Sequence, residues 1–287
     1  VDFFNSIPYS EALQGNVGIL YPKYDDPKEI YISILNDFKN ISEGLTAAYN
    51  KMNADNKAFF AVQDVALKGD IAKWVQFINA LRLQYGVKLA GVDQTTALPL
   101  MAGALTNLPQ EDLYFGPYSY EYPSGGGTII RGMYERTYAN FVPNVILRRM
   151  NHGTNTYEPG IDDPRLPVIA LPTKWNNNQD YIGVSMDSDG QTPFYNAGHR
   201  YYPYGDNLES SLAQNAVSMY NFATYFMNYE KYPAIMMTRA YVDLLLAEIA
   251  LKNYGSTGKS AAQHMNDAVV NSCNWWYMLN GMSSYRT

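Results

Sequence analysis

A single cysteine, Cys273, occurs in 287 residues, so neither an internal disulfide framework nor a cysteine-based zinc cluster can organise this chain. Basic charge is also scarce. Against 27 Asp plus Glu there are 21 Lys plus Arg, and the net charge of −6 sets up no sequence-wide field that would hold phosphate backbones. Nucleic acid is thereby set aside as a partner. No stretch approaches the roughly 18 uninterrupted apolar residues that a membrane-crossing helix needs. Only three histidines are present, His152, His199 and His264, and their spacing is not that of a metal site. His264 is expected on a helix surface. No metal and no cofactor is expected.

What the chain has instead is tyrosine. Its 26 tyrosines, with 4 Trp and 11 Phe, bring aromatics to 14% while charged residues make up only 17%. A tyrosine ring offers a flat apolar face and a hydroxyl, which suits a wet surface that must still bind something. The chain opens at Val1 with no initiator Met and no charged-then-apolar leader, and it reads as a processed or truncated piece.

Helical signals cluster at the two ends. Asp26-Pro27-Lys28-Glu29 combines a capping Asp, a first-turn Pro and a Glu three residues beyond the cap, and Ile30, Ile34, Leu35, Phe38, Ile41 and Leu45 follow at helical spacing. A second helix is predicted after Gly69-Asp70, with Trp74, Phe77, Ile78, Leu81 and Tyr85 on one stripe, Trp74 in the core and closure near Gly91. The two are expected to pair as a hairpin. From Leu98 to Gly127 the pattern lapses into Pro, Gly and Tyr; it returns over 128–150, with Pro143 as a kink or a new start. Residues 151–206 carry mostly breakers, and loops with short strands are expected there.

Helix is predicted to resume at Asp206-Asn-Leu-Glu209 through Leu212, Met219, Phe222 and Phe226, then over Ala234–Asn253, and again from a Ser260 cap to about Trp276. Of Trp275 and Trp276, one should pack. The architecture read from these elements is mainly α, with helical hairpins of the tetratricopeptide kind around a loop-rich middle, although no strict repeat consensus is present.

Several phrases in order resemble the SusD/RagB family of glycan-binding outer-membrane lipoproteins. They are Ile7-Pro8-Tyr9-Ser10-Glu11-Ala12-Leu13, Pro22-Lys-Tyr-Asp25 leading into Glu29-Ile30-Tyr31, and Gly69-Asp70-Ile-Ala-Lys73-Trp74 with Phe77, Asn79 and Leu81-Arg82-Leu83. Asp163-Pro164-Arg165-Leu166-Pro167 and Pro233-Ala-Ile-Met-Met-Thr238, running into Val242 and Leu246-Ala247-Glu248, complete the series. The stretch Gln84-Tyr85-Gly86 departs from the family, which is commonly more basic and small there.

The resemblance implies one SusD-like domain over 1–287, with a helical scaffold at about 22–150 and 207–276 and a loop-rich face at about 151–206. It implies non-catalytic binding of oligosaccharide, starch among the candidates, at the cell surface. It also implies a SusC-like TonB-dependent transporter as partner, and an outer-membrane location through a lipidated N-terminal cysteine that this sequence does not itself carry. Capture of peptide or another nutrient, a purely structural lid, and a polysaccharide-degrading enzyme stay open as alternatives.

Sugars present apolar C–H faces and polar edges, so their sites combine aromatic platforms with amide, carboxylate and guanidinium readers. Residues 172–206 hold that mixture, Tyr181 and His199 included. Trp175 and Tyr195 are assigned as stacking platforms, Tyr201, Tyr202 and Tyr204 as edge or stacking partners, and Asn177 and Arg200 as polar readers. The competing reading is that these aromatics pin a long loop onto the helices.

Other motifs are weaker. Asn253 to Ser260 imitates the end of a phosphate loop but lacks its first Gly and a preceding strand, so an inter-helix turn is expected. Gly125-Gly-Gly127 is read as a plain loop. Ser185-Met-Asp187-Ser-Asp189-Gly190 shares the spacing of a calcium loop, but Asn196 stands where Glu is required, and a solvated turn is the default. A glycosidase would need two carboxylates facing across a cleft, and the middle region does contain Asp162, Asp163, Asp180, Asp187, Asp189 and Asp206.

Overall fold

The computed structural model describes residues 1–115, 141–174, 179–185, 216–221, 224 and 233–282. Among them are eight α-helices and four short strands. The chain forms two compact units, Val1–Phe115 with Ile235–Asn271, and Gly116–Ala234 with Ser272–Thr287.

In the first unit, α1 (Pro27–Asn50) starts where the sequence places it, because the Asp26 carboxylate accepts the backbone N–H groups of Lys28 and Glu29. Helix α3 (Ile71–Ala90) is capped in the same way by Asp70 and ends at Gly91, and it packs along α1. Between them lies α2 (Ala54–Gln63), capped by Asn53. It buries none of its residues, so no apolar stripe announces it in the sequence. Helix α4 (Gln94–Ala102) continues past Leu98 with Pro99 inside it, although proline lacks the N–H that an interior position should donate. Burial of Ala97 and Met101 against α3 offsets that loss.

Strand β1 (Leu113–Phe115) pairs with β4 (Ala234–Met237). The helix expected from Ala234 therefore begins only at Arg239: α7 (Arg239–Lys252) is capped by Thr238, whose hydroxyl accepts from the Tyr241 N–H, and the Ala-Ile-Met-Met run before it is extended. Asn253 closes α7 in the left-handed region at φ 55°, and an ordinary turn to Ser260 follows, as the sequence implies. Ser260 and Gln263 form a reciprocal capping pair at the start of α8 (Ala261–Met282), which runs beyond Trp276. The core of this unit is built from Leu35, Leu83, Ala97, Met101, Leu246 and Ile249 with their neighbours.

In the second unit, α5 (Asn144–Met150) starts afresh after Pro143. The short α6 (Leu166–Ile169) leads into β2 (Ala170–Leu171), which pairs antiparallel with β3 (Met219–Tyr220). Met219 is thus strand, not helix as the sequence suggests: its backbone is committed to Leu171, and its side chain is buried. Leu212, Phe222 and Phe226 of that expected helix lie outside the described residues. Trp275 is buried and Trp276 half-buried against this unit's core.

The Asp163-Pro-Arg165-Leu166 turn is a structural joint. Arg165 clamps the Asp163 carboxylate and donates to Ser272 Oγ at 2.8 Å, while the Asp163 N–H bonds the Met150 carbonyl. Burial alone would raise the Asp163 pKa, but the hydrogen bonds and charge of Arg165 outweigh it and hold the carboxyl below its ordinary value. Its stabilisation is therefore complete above the unfolded value of about 3.9 and fades as pH falls through the lower folded one. Asp163→Asn should flatten that acid limb: the urea midpoint of the variant should change less between about pH 5 and pH 2.5 than that of the wild type.

Candidate functional site

All seven residues assigned to ligand contact, Trp175, Asn177, Tyr195, Arg200, Tyr201, Tyr202 and Tyr204, lie outside the described residues, as do Asp187 and Asp189 of the calcium-like turn. Their described chain neighbours are hydrogen-bonded to other segments of the second unit. Thr173 bridges Asp180 antiparallel, with the Thr173 N–H on the Asp180 carbonyl at 2.8 Å. Val184 donates to the Val142 carbonyl and accepts from the Asn144 N–H at 2.8 Å.

Tyr181, one aromatic of the same stretch, is buried in the core of the second unit, edge-on to Tyr157 at 6.2 Å between ring centroids. Burial pushes its hydroxyl up to about 12. For Tyr181 the anchoring role is the observed one. Trp74 is half-buried, not fully core, because its indole N–H reaches out to the Asp64 carboxylate at 2.8 Å.

Of the carboxylates weighed for hydrolysis, Asp162 and Asp163 are engaged in structure. Asp162 accepts from the Glu158 N–H at 2.7 Å and meets His152 Nδ1 at 2.7 Å, and these contacts lower its pKa. Asp163 is held by Arg165. Neither has the raised pKa of a general acid.

One concave surface escaped the sequence reading. In the first unit a groove of about 330 Å³ is lined by Phe3, Tyr9, Tyr31 and Tyr85 together with Ile30 and Ile34. The rings of Tyr31 and Tyr85 are tilted at 55° with centroids 5.8 Å apart. Within it the Tyr31 hydroxyl donates to the Asp2 carboxylate, which also pairs with Lys88. Such a groove presents aromatic faces beside apolar side chains. Its residues are spread from the chain start to α3, which is why no local motif marks it.

The whole chain, residues 1–287, matches the SusD-like family described as starch-binding and associating with the outer membrane. This chain belongs to the SusD-like family. Solved structures agree on the fold of this SusD-like protein. A SusD homologue from Bacteroides vulgatus is 18% identical with a TM-score of 0.66 over 95% of this chain and 48% of its own. A chitin-binding SusD homologue from Flavobacterium johnsoniae is 17% identical with a TM-score of 0.64 over 96% of this chain and 49% of its own. A SusD-like protein from Bacteroides thetaiotaomicron, 20% identical, gives a TM-score of 0.59 over 95% and 49%. The SusD-like chain thus spans about half the length of these structures. No curated protein matches it. Among the described residues no helix is long and apolar enough to cross a membrane.

Proposed function

We propose that this SusD-like protein binds oligosaccharide without turning it over, at the outer-membrane surface, and passes it to a SusC-like TonB-dependent transporter. The observation that carries this reading is the match of all 287 residues to a family described as starch-binding and outer-membrane-associated. The aromatic and amide content of residues 172–206 supports it. Trp175 and Tyr195 serve as stacking platforms, Tyr201, Tyr202 and Tyr204 as edge or stacking partners, and Asn177 and Arg200 as readers of polar edges. A lipid anchor supplies the membrane attachment. No cofactor takes part.

Calorimetric titration with a panel of neutral and acidic oligosaccharides, alongside a reducing-end assay on the same samples, tests the reading. Binding without release of reducing ends is expected, and Trp175→Ala should weaken it about tenfold, the loss of roughly 1.4 kcal/mol of stacking. Stacking on neutral sugars should survive high salt, whereas charge recognition through Arg200 should not. Failure of a folded sample to bind any glycan would overturn the proposal in favour of peptide cargo or a transporter-facing lid. Release of reducing ends would overturn it in favour of an enzyme.

A further inference from the structure

His264 is 3% exposed, and neither of its ring nitrogens has a hydrogen-bond partner. A buried imidazole left in that state is rare, and the gap calls for an ion or a water. The surface position expected for this residue is thus corrected: the face of α8 that carries His264, Asp267 and Asn271 turns toward α7, where Asp243 is fully buried. Ligand atoms of Asp243, His264 and Asp267 all lie within 4.8 Å of one another.

We propose that Asp243, His264 and Asp267 form a site for a divalent cation of the zinc class, which clips α7 to α8. One imidazole nitrogen with two carboxylate oxygens suits a borderline-soft ion and disfavours calcium and magnesium, which prefer oxygen alone. His264 and Asp267, three residues apart on one helix, with a carboxylate from the facing helix, repeat the way metal sites are assembled between packed helices. The donors around a tetrahedral zinc stand roughly 3.3 Å apart, so the site closes by a modest side-chain movement.

The charged neighbours fit such a closure. Arg239 and Asn271 both hold the buried Asp243 carboxylate, Asn271 at 2.7 Å, and orient it as supporting partners orient a ligating group. Asp267 is paired with Lys259 at 2.6 Å, and that ammonium is half exposed. Binding sends Lys259 back to solvent and leaves Arg239 in place. The ligands come from two helices, so the spacing of histidines along the chain could not reveal them.

Metal-stripped protein titrated with ZnCl₂ by calorimetry, and with CoCl₂ by visible absorption, tests the site independently of any glycan. One equivalent of zinc is expected to bind and to raise the melting midpoint. Asp267→Asn, at a partly exposed position, should weaken zinc at least tenfold while the protein stays folded. His264→Gln should abolish both the cobalt band and the melting shift, and His152→Gln should change neither. No zinc binding by the wild type, binding that survives both site variants, or equal binding of calcium would overturn the proposal.

Discussion

Arg82→Ala is expected to cost about 3–5 kcal/mol of stability. Arg82 is 1% exposed in the middle of α3. Its Nη2 donates to the Leu100 carbonyl at 2.8 Å and Nε to the same oxygen at 3.3 Å. Nη1 donates to Ser42 Oγ at 2.8 Å and to Asn79 Oδ1 at 3.2 Å. Leu100 lies in the last turn of α4, where carbonyls have no partner within the helix. The guanidinium therefore closes the end of α4 from a neighbouring helix and ties α1 to both.

Glu43 sits 3.8 Å from Nη2, but its side chain is more than half exposed, so the ion pair supplies little of this. Burial pushes the Arg82 pKa down, which marks desolvation as the cost that the neutral acceptors must offset. Alanine leaves those acceptors unpaired beside a cavity. Arg82→Met keeps the volume of the stem and should fall between wild type and alanine, while lysine cannot reproduce the planar fork. Urea titration, with hydrogen exchange on peptides covering 71–102 to isolate this unit, measures the order. An alanine variant within about 1 kcal/mol of wild type would show that packing, not these bonds, holds the three helices.

The legibility of this fold in its sequence follows from how local each signal is. Asp26, Asp70 and Ser260 announce helices because a cap acts within three residues of itself. Met219 and the run Ala234–Met237 misled because strand or helix there is decided by a distant partner, Leu171 in one case and β1 in the other. Gln84-Tyr85-Gly86 looked like a departure from family pattern, and the structure gives Gly86 a reason: a Cβ there would lie 2.2 Å from Met101 Cγ, so glycine lets α3 and α4 approach. The aromatic composition of 172–206 was visible, but composition cannot tell a ligand platform from an anchor, and Tyr181 proved to be an anchor. The buried His264 was invisible, since its burial depends on α7.

Gly183→Ala should be as damaging as the loss of Arg82, about 3–5 kcal/mol, although it adds a single methyl group. A Cβ at Gly183 would stand 2.3 Å from Asn144 Cα, 2.5 Å from Asn144 N and 2.9 Å from the Pro143 carbonyl carbon. All three are backbone atoms and cannot rotate aside. Gly86→Ala meets a comparable clash with Met101, yet a methionine side chain can re-rotamer, so about 1–3 kcal/mol is expected there. Around Gly183 the strain must instead separate segments that hold one another through Val184 to Val142, Asn144 to Val184 and Ser218 to Ile182 hydrogen bonds. Urea or thermal unfolding that leaves Gly183→Ala level with wild type would show that these segments slide apart freely. Gly183 also precedes Tyr195 and Arg200 in the same loop-rich stretch of the chain, so on the proposed function Gly183→Ala should lose glycan affinity together with stability. Trp175→Ala should lose affinity alone, and that contrast separates a scaffold residue from a contact.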